Sequence, residues 1–73
     1  MPPVDIQLIE GVFDAEQKRR MIEEVTETMV RIEGECLRSM TWVRVQEVPS
    51  GAWGIGGKPI TSDYVKAVRV QVP

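Results

Sequence analysis

The sequence contains no histidine and a single cysteine, Cys36, which removes the commonest zinc ligand and rules out an internal disulfide. Cys36 sits beside Leu37 after a helical segment and reads as a small apolar filler rather than a reactive thiol. Aromatic residues make up only 5% of a 73-residue chain. At this length a monomer buries only about 60% of the surface its unfolded chain exposes, and with no disulfide or metal staple the expected supplement is self-association. Basic residues gather only at Lys18-Arg19-Arg20 and the formal net charge is −2, so neither a nucleic-acid surface nor an anionic-membrane surface is expected. The basic run faces Glu23, Glu24 and Glu27 at helical spacing, the pattern of a solvated helix face. No apolar run is long enough to span a bilayer, and Met1-Pro2-Pro3 has neither the charged nor the apolar region of a signal peptide. Cytoplasmic residence is the default expectation.

What is present reads as one domain over residues 1–73. Val4, Ile6 and Leu8 alternate with Asp5 and Gln7, the period of a half-buried strand over residues 4–10, and Gly11 ends it. Asp14 precedes Gln17 by three residues, the spacing of a reciprocal cap at a helix start. Met21, Ile22, Val25, Met29 and Ile32 then draw an apolar stripe along a helix over residues 15–32, with Gly34 as its stop. A second strand, rich in β-branched residues, is expected over residues 41–48 and ends at Pro49-Ser50-Gly51. A strand, a helix and a strand in this order suit an α+β fold built on a β-α-β unit with parallel strands. One helix covers one sheet face, so the other face and the strand edges need a neighbouring chain. Gly54 to Gly57 predict a turn. The alternation of Val65, Ala67, Val68, Val70 and Val72 predicts a short final strand or hairpin that pairs with a neighbour.

Three features carry chemistry. Removal of Met1 would leave Pro2 with a free secondary amine, which can act as a base near neutral pH because α-amino groups titrate at about 7.7 to 8.0 and burial lowers that value. Arg44 stands between Val43 and Val45 inside a strand, an expensive place for a charge unless it meets an anion, and its planar fork suits a carboxylate or an enolate oxygen. It shares a face with Trp42 and Gln46, so an exposed structural arginine is the rival reading. Trp53 precedes Gly54-Ile55-Gly56-Gly57. The pattern lacks the Gly-Lys-Ser/Thr ending of a phosphate loop, so either the aromatic ring leans over a pocket or the segment is a plain hairpin corner.

Pro2, Ile9-Glu10-Gly11, Asp14 to Lys18, Val43-Arg44-Val45 and Trp53-Gly54-Ile55-Gly56-Gly57, in this order and spacing, resemble the 4-oxalocrotonate tautomerase family. The resemblance implies an isomerase of enol or dienol carboxylic acids that needs no cofactor or metal. Pro2 falls on the family's general base and acid. Arg44 falls on the arginine that holds the substrate carboxylate or the oxygen gaining charge, usually supplied by a neighbouring subunit. Trp53 falls on the aromatic wall that keeps the amine neutral. The implied assembly is a homohexamer, a trimer of dimers, and the implied ligand is a small enol or keto acid.

The chain departs from that pattern at two points. Family members active on dicarboxylates have an arginine where this sequence has Val12, followed by Phe13. A charge-assisted hydrogen bond contributes roughly 1.5 to 3 kcal/mol, so a dicarboxylate should bind about one to two powers of ten less well, and a monocarboxylate or an apolar-tailed enol is expected. Arg19, Arg20 and Arg69 are the candidates to replace the missing charge from across an interface. The second departure is Pro3, which hinders removal of Met1. With Met1 retained, Pro2 is an amide, and the alternative is a catalytically silent oligomeric binding module. A hydratase or dehalogenase of unsaturated acids on the same scaffold would need a further acid, for which Glu10 and Glu47 are the candidates.

Overall fold

The alternation in the first segment places Val4, Ile6 and Leu8 half-buried and Asp5 and Gln7 outside, in strand β1 (Pro3–Ile9). The computed structural model describes residues 2–71. Helix α1 spans Ala15–Glu33. Its start is fixed as the spacing predicts: the Gln17 amide donates to Asp14 Oδ1 at 2.8 Å, and the Asp14 amide donates to Gln17 Oε1 at 2.9 Å. Losing such a cap costs about 1 kcal/mol, so Asp14→Ala should lower the melting temperature by roughly 4–8 °C in a domain of this size. A circular-dichroism melt at fixed protein concentration checks this. The helix stops at Gly34, whose φ of 108° is a conformation that side chains rarely adopt.

A 3₁₀ segment, Glu35–Met40, leads into β2 (Trp42–Val48). β1 and β2 pair in parallel from Pro3 opposite Trp42 to Ile9 opposite Val48, the arrangement that a helical crossover permits. A hairpin follows, β3 (Trp53–Ile55) against β4 (Lys58–Ile60). Gly56 and Gly57 form its two-residue turn with φ of 59° and 83°, the paired positive values that let a tight hairpin match strand twist. Helix α2 (Ser62–Gln71) is the last element among the described residues.

Four expectations change. The hairpin forms at 53–60, but the expected strand from Val65 onward is helical, and Val72 lies outside the described residues. The alternation fails at Ala67-Val68, while Val65, Val68 and Arg69 keep helical spacing. Thr61 starts the helix, its hydroxyl accepting from the Tyr64 amide at 3.2 Å. Along α1, Val30 is buried, whereas Ile22 and Ile32 are 40% and 77% exposed. A helix about 10 Å wide overhangs two strands less than about 5 Å apart, so the flanks of the apolar stripe stay uncovered. Cys36 is exposed and Leu37 takes the inward position. Glu27 pairs with Arg38 instead of the basic run, and Lys18 reaches β2, its Nζ 3.0 Å from Glu47 Oε1.

Ile9 and Val30 are the buried hydrophobic residues among those described. The outward sheet face, with Asp5, Gln7, Trp42, Arg44 and Gln46, is exposed.

Candidate active site

Pro2 is half-buried at the head of β1, and its carbonyl accepts the Trp42 amide at 3.3 Å. That bond fixes the start of the chain against β2 and leaves the proline nitrogen at the sheet's end. Met1 lies outside the described residues.

Arg44 lies on the outward face opposite Asp5 in the parallel register. Its Nε donates to Asp5 Oδ1 at 2.7 Å. This hydrogen bond holds the Asp5 carboxyl below the usual carboxylate range and raises Arg44 above its ordinary value. Both side chains are exposed, so the guanidinium keeps donors free for an anion.

Trp53 is half-buried at the start of β3 and lines an apolar cavity of about 290 Å³ with Leu8, Ile9, Phe13, Ile55 and Val65. The segment is a hairpin corner and its Trp53 also lines the cavity, so the two sequence readings are not exclusive. Gln7 is the one polar residue in a lining that also includes Ile60. Neither Glu10 nor Glu47 belongs to it, and Glu47 is held by Lys18.

The three sequence-derived residues do not converge within one chain. Pro2 and Ile9 stand at opposite ends of an extended segment, roughly 23 Å apart at about 3.3 Å per residue. Trp53 belongs to the Ile9 end, and Arg44 stands between on the outward face.

Phe13 and Val65 join the cavity unannounced by the motifs. Phe13 directly precedes the cap residue Asp14, where an apolar side chain usually staples onto the fourth helical residue. That residue is Lys18, so the ring is free to turn elsewhere. Arg69 occupies its other side: the guanidinium carbon lies 5.1 Å from the Phe13 ring centroid, and Nη1 donates to the Val12 carbonyl at 3.2 Å. Arg19 and Arg20 are bound to Glu16, Glu23 and Glu24 along α1. Within one chain Arg69 therefore reaches Val12, whereas Arg19 and Arg20 do not; replacement from across an interface is a different contact.

The Tautomerase enzyme family model matches residues 2–63. The chain is 38% identical over 61 residues to the probable tautomerase K2 of Dickeya dadantii, covering 84% of this chain and 90% of that one. It is 40% identical over 57 residues to the 2-hydroxymuconate tautomerase of Pseudomonas putida, covering 78% and 87% respectively. The backbone is similar to a structure from a study of the 4-oxalocrotonate tautomerase isozymes of Methylibium petroleiphilum, with a TM-score of 0.70, 38% identity, and coverage of 88% of this chain and 97% of that one. Agreement in both residues and backbone path, over nearly the full length of each relative, leads to one conclusion: the chain belongs to the 4-oxalocrotonate tautomerase family and is an isomerase.

Proposed function

We propose that this isomerase is a cytoplasmic, cofactor-independent tautomerase of enol and dienol carboxylic acids, with Pro2 as base and acid, working as a homohexamer and preferring monocarboxylates with an apolar tail. The Pro2 amine takes the proton from the enol oxygen or from the carbon beside the carbonyl, and returns it at the other end of the conjugated system. Arg44 faces the carboxylate and the oxygen on which charge accumulates. Stabilising that charge in a site with little water is a large part of the barrier reduction. Trp53 and its apolar neighbours keep the amine unprotonated by disfavouring its charged form.

The same geometry supports assembly. β1 has one edge paired to β2 and one without a strand among the described residues. Pairing two such edges about a two-fold axis runs them antiparallel, which brings the Pro2 end of one chain to the Ile9, Phe13 and Trp53 end of the other. The exposed Ile22, Ile32 and Trp42 give further copies apolar area to cover. Each site then draws its base and its apolar wall from different chains.

The observation that carries the substrate preference is the cavity lining, which among the described residues contains no cation and no carboxylate. A second carboxylate there would lose its hydration without a partner. The test compares 2-hydroxymuconate with 2-hydroxypenta-2,4-dienoate, its counterpart with one carboxylate, on protein whose intact mass shows that Met1 is gone. The monocarboxylate should have the lower KM. Val12→Arg should strengthen binding of the dicarboxylate alone, lowering its KM by about one power of ten. Turnover of neither acid by processed protein would sink this reading.

A further inference from the structure

The family match ends at residue 63. α2 continues to Gln71, and most of it therefore lies beyond the matched segment. Yet it contributes directly to the candidate site. Val65, on its first turn, is half-buried and lines the cavity that holds Trp53 and Phe13. Arg69 lies one helical turn further on the same side, since residues four apart share a helix face. From there its guanidinium covers the Phe13 ring and donates to the Val12 carbonyl. The start of the helix is held separately, its Ser62 amide donating to Ser50 Oγ at 2.9 Å. The helix is thus tied at its start to the turn after β2 and near its end to the loop after β1, with Val65 between the two ties.

We infer that α2 is a specificity element, in which Val65 forms the far wall of the cavity and sets the size of the apolar tail accepted, while Arg69 is a positioning residue that clamps the helix to the Val12-Phe13 loop. This rests on the proposed reading of the cavity as the place of the substrate tail. The cavity, about 290 Å³, is at the lower end of the range for small-molecule sites, so one added side-chain ring at position 65 is a large fractional change. Two ties at the ends and few buried contacts between them leave the helix dependent on Arg69 for its seating. A cation over a ring face combined with a donated hydrogen bond suits that task, because the planar guanidinium satisfies both at once.

The test follows binding by the Trp53 indole resonance in ¹H–¹⁵N spectra, with Trp42→Phe as background so that Trp53 is the only tryptophan. The probes are propanoate, 3-phenylpropanoate and 3-(2-naphthyl)propanoate, which share one carboxylate and differ only in the tail. Val65→Phe should weaken 3-phenylpropanoate about tenfold, the scale at which hydrophobic pockets discriminate small changes in size, and leave propanoate within about twofold. Val65→Ala should tighten the naphthyl acid severalfold, a gain that a misfolded variant cannot produce. Arg69→Ala should weaken 3-phenylpropanoate and raise KM for phenylenolpyruvate by a larger factor than it lowers kcat, and Arg69→Lys should restore only part of the loss. Equal effects of the Val65 variants on all three acids, or no effect, would overturn the inference. So would an Arg69→Ala defect confined to 2-hydroxymuconate, which would make Arg69 a carboxylate ligand. Because binding does not need the amine, lost turnover with the tail dependence intact points to failure of the proton-transfer reading, not of this one.

Discussion

Protein that keeps Met1 on Pro2 is expected to tautomerise enol acids about 10²- to 10⁴-fold more slowly than protein that has lost it, the range typical of a removed general base. The free secondary amine has a lone pair with no competing use. In an amide the same pair is delocalised into the carbonyl, which also makes the bond planar, and the nitrogen has no useful basicity. Pro2 is half-buried, and an apolar wall supplied by a neighbour's Trp53 would disfavour the charged form of its amine. The rate constant kcat/KM should therefore rise with pH through the amine's titration and level off near neutrality. If Pro3 slows removal of Met1, preparations should contain both forms, and activity should track the processed fraction in the intact mass spectrum. Pro2→Ala with Met1 removed keeps a primary amine and should lose activity only in part. Equal rates for blocked and processed protein would remove the amine from the mechanism, and wild-type rates in the processed Pro2→Ala variant would show that any free terminal amine serves in place of the proline ring.

Most of the β-α-β unit was legible because its signals are local and agree with one another. The Asp14 and Gln17 cap, the two-residue alternation of β1 and the β-branched run of β2 each name one conformation, and the crossover length then leaves parallel pairing as the natural result. The final segment was not legible by the same means. Valines favour strands on average, but Thr61 offers a cap and Val65, Val68 and Arg69 fall on one helical side, so the tertiary ties to Ser50, Val12 and Phe13 decide the outcome. The stripe on α1 failed in a different way. Periodicity identifies an apolar face but not how wide a sheet will cover it, and a two-stranded sheet leaves Ile22 and Ile32 outside. Around the cavity, the glycine-rich turn marked a hairpin but left Trp53 between a pocket wall and a plain corner, and Phe13 could not be placed at all, because its position depends on what Lys18 fails to offer it and on the arrival of α2.

Arg44→Ala should lower kcat by about 10²- to 10³-fold, the effect of deleting one donor aimed at a developing oxyanion, with Arg44→Lys recovering only part because an ammonium cannot reproduce the planar fork. The competing reading is that Arg44 serves the sheet through Asp5, and the two are separable. Asp5 holds one donor of the guanidinium in the chain as it stands, so a substrate carboxylate must share Arg44 with it or displace it. Exposed ion pairs are weak, and Asp5→Asn should therefore lower KM for a carboxylate by no more than about fivefold while leaving kcat unchanged. If Arg44 were structural, Asp5→Asn and Arg44→Ala would instead shift the melting temperature together and leave the chemistry alike. The pH dependence has a definite sign. The Asp5 carboxyl is held below its ordinary range by the arginine, so the pair's small contribution to folding is present above the unfolded carboxyl value and is lost as pH falls through the lower folded one. Across the neutral range Asp5 stays charged, and its competition for Arg44 is constant. Any change in KM near neutrality must then come from another group, and the proline amine is the one this mechanism supplies; a KM shift near pH 7 that persists in protein with a blocked amine would assign that shift to a group other than Asp5 and Pro2.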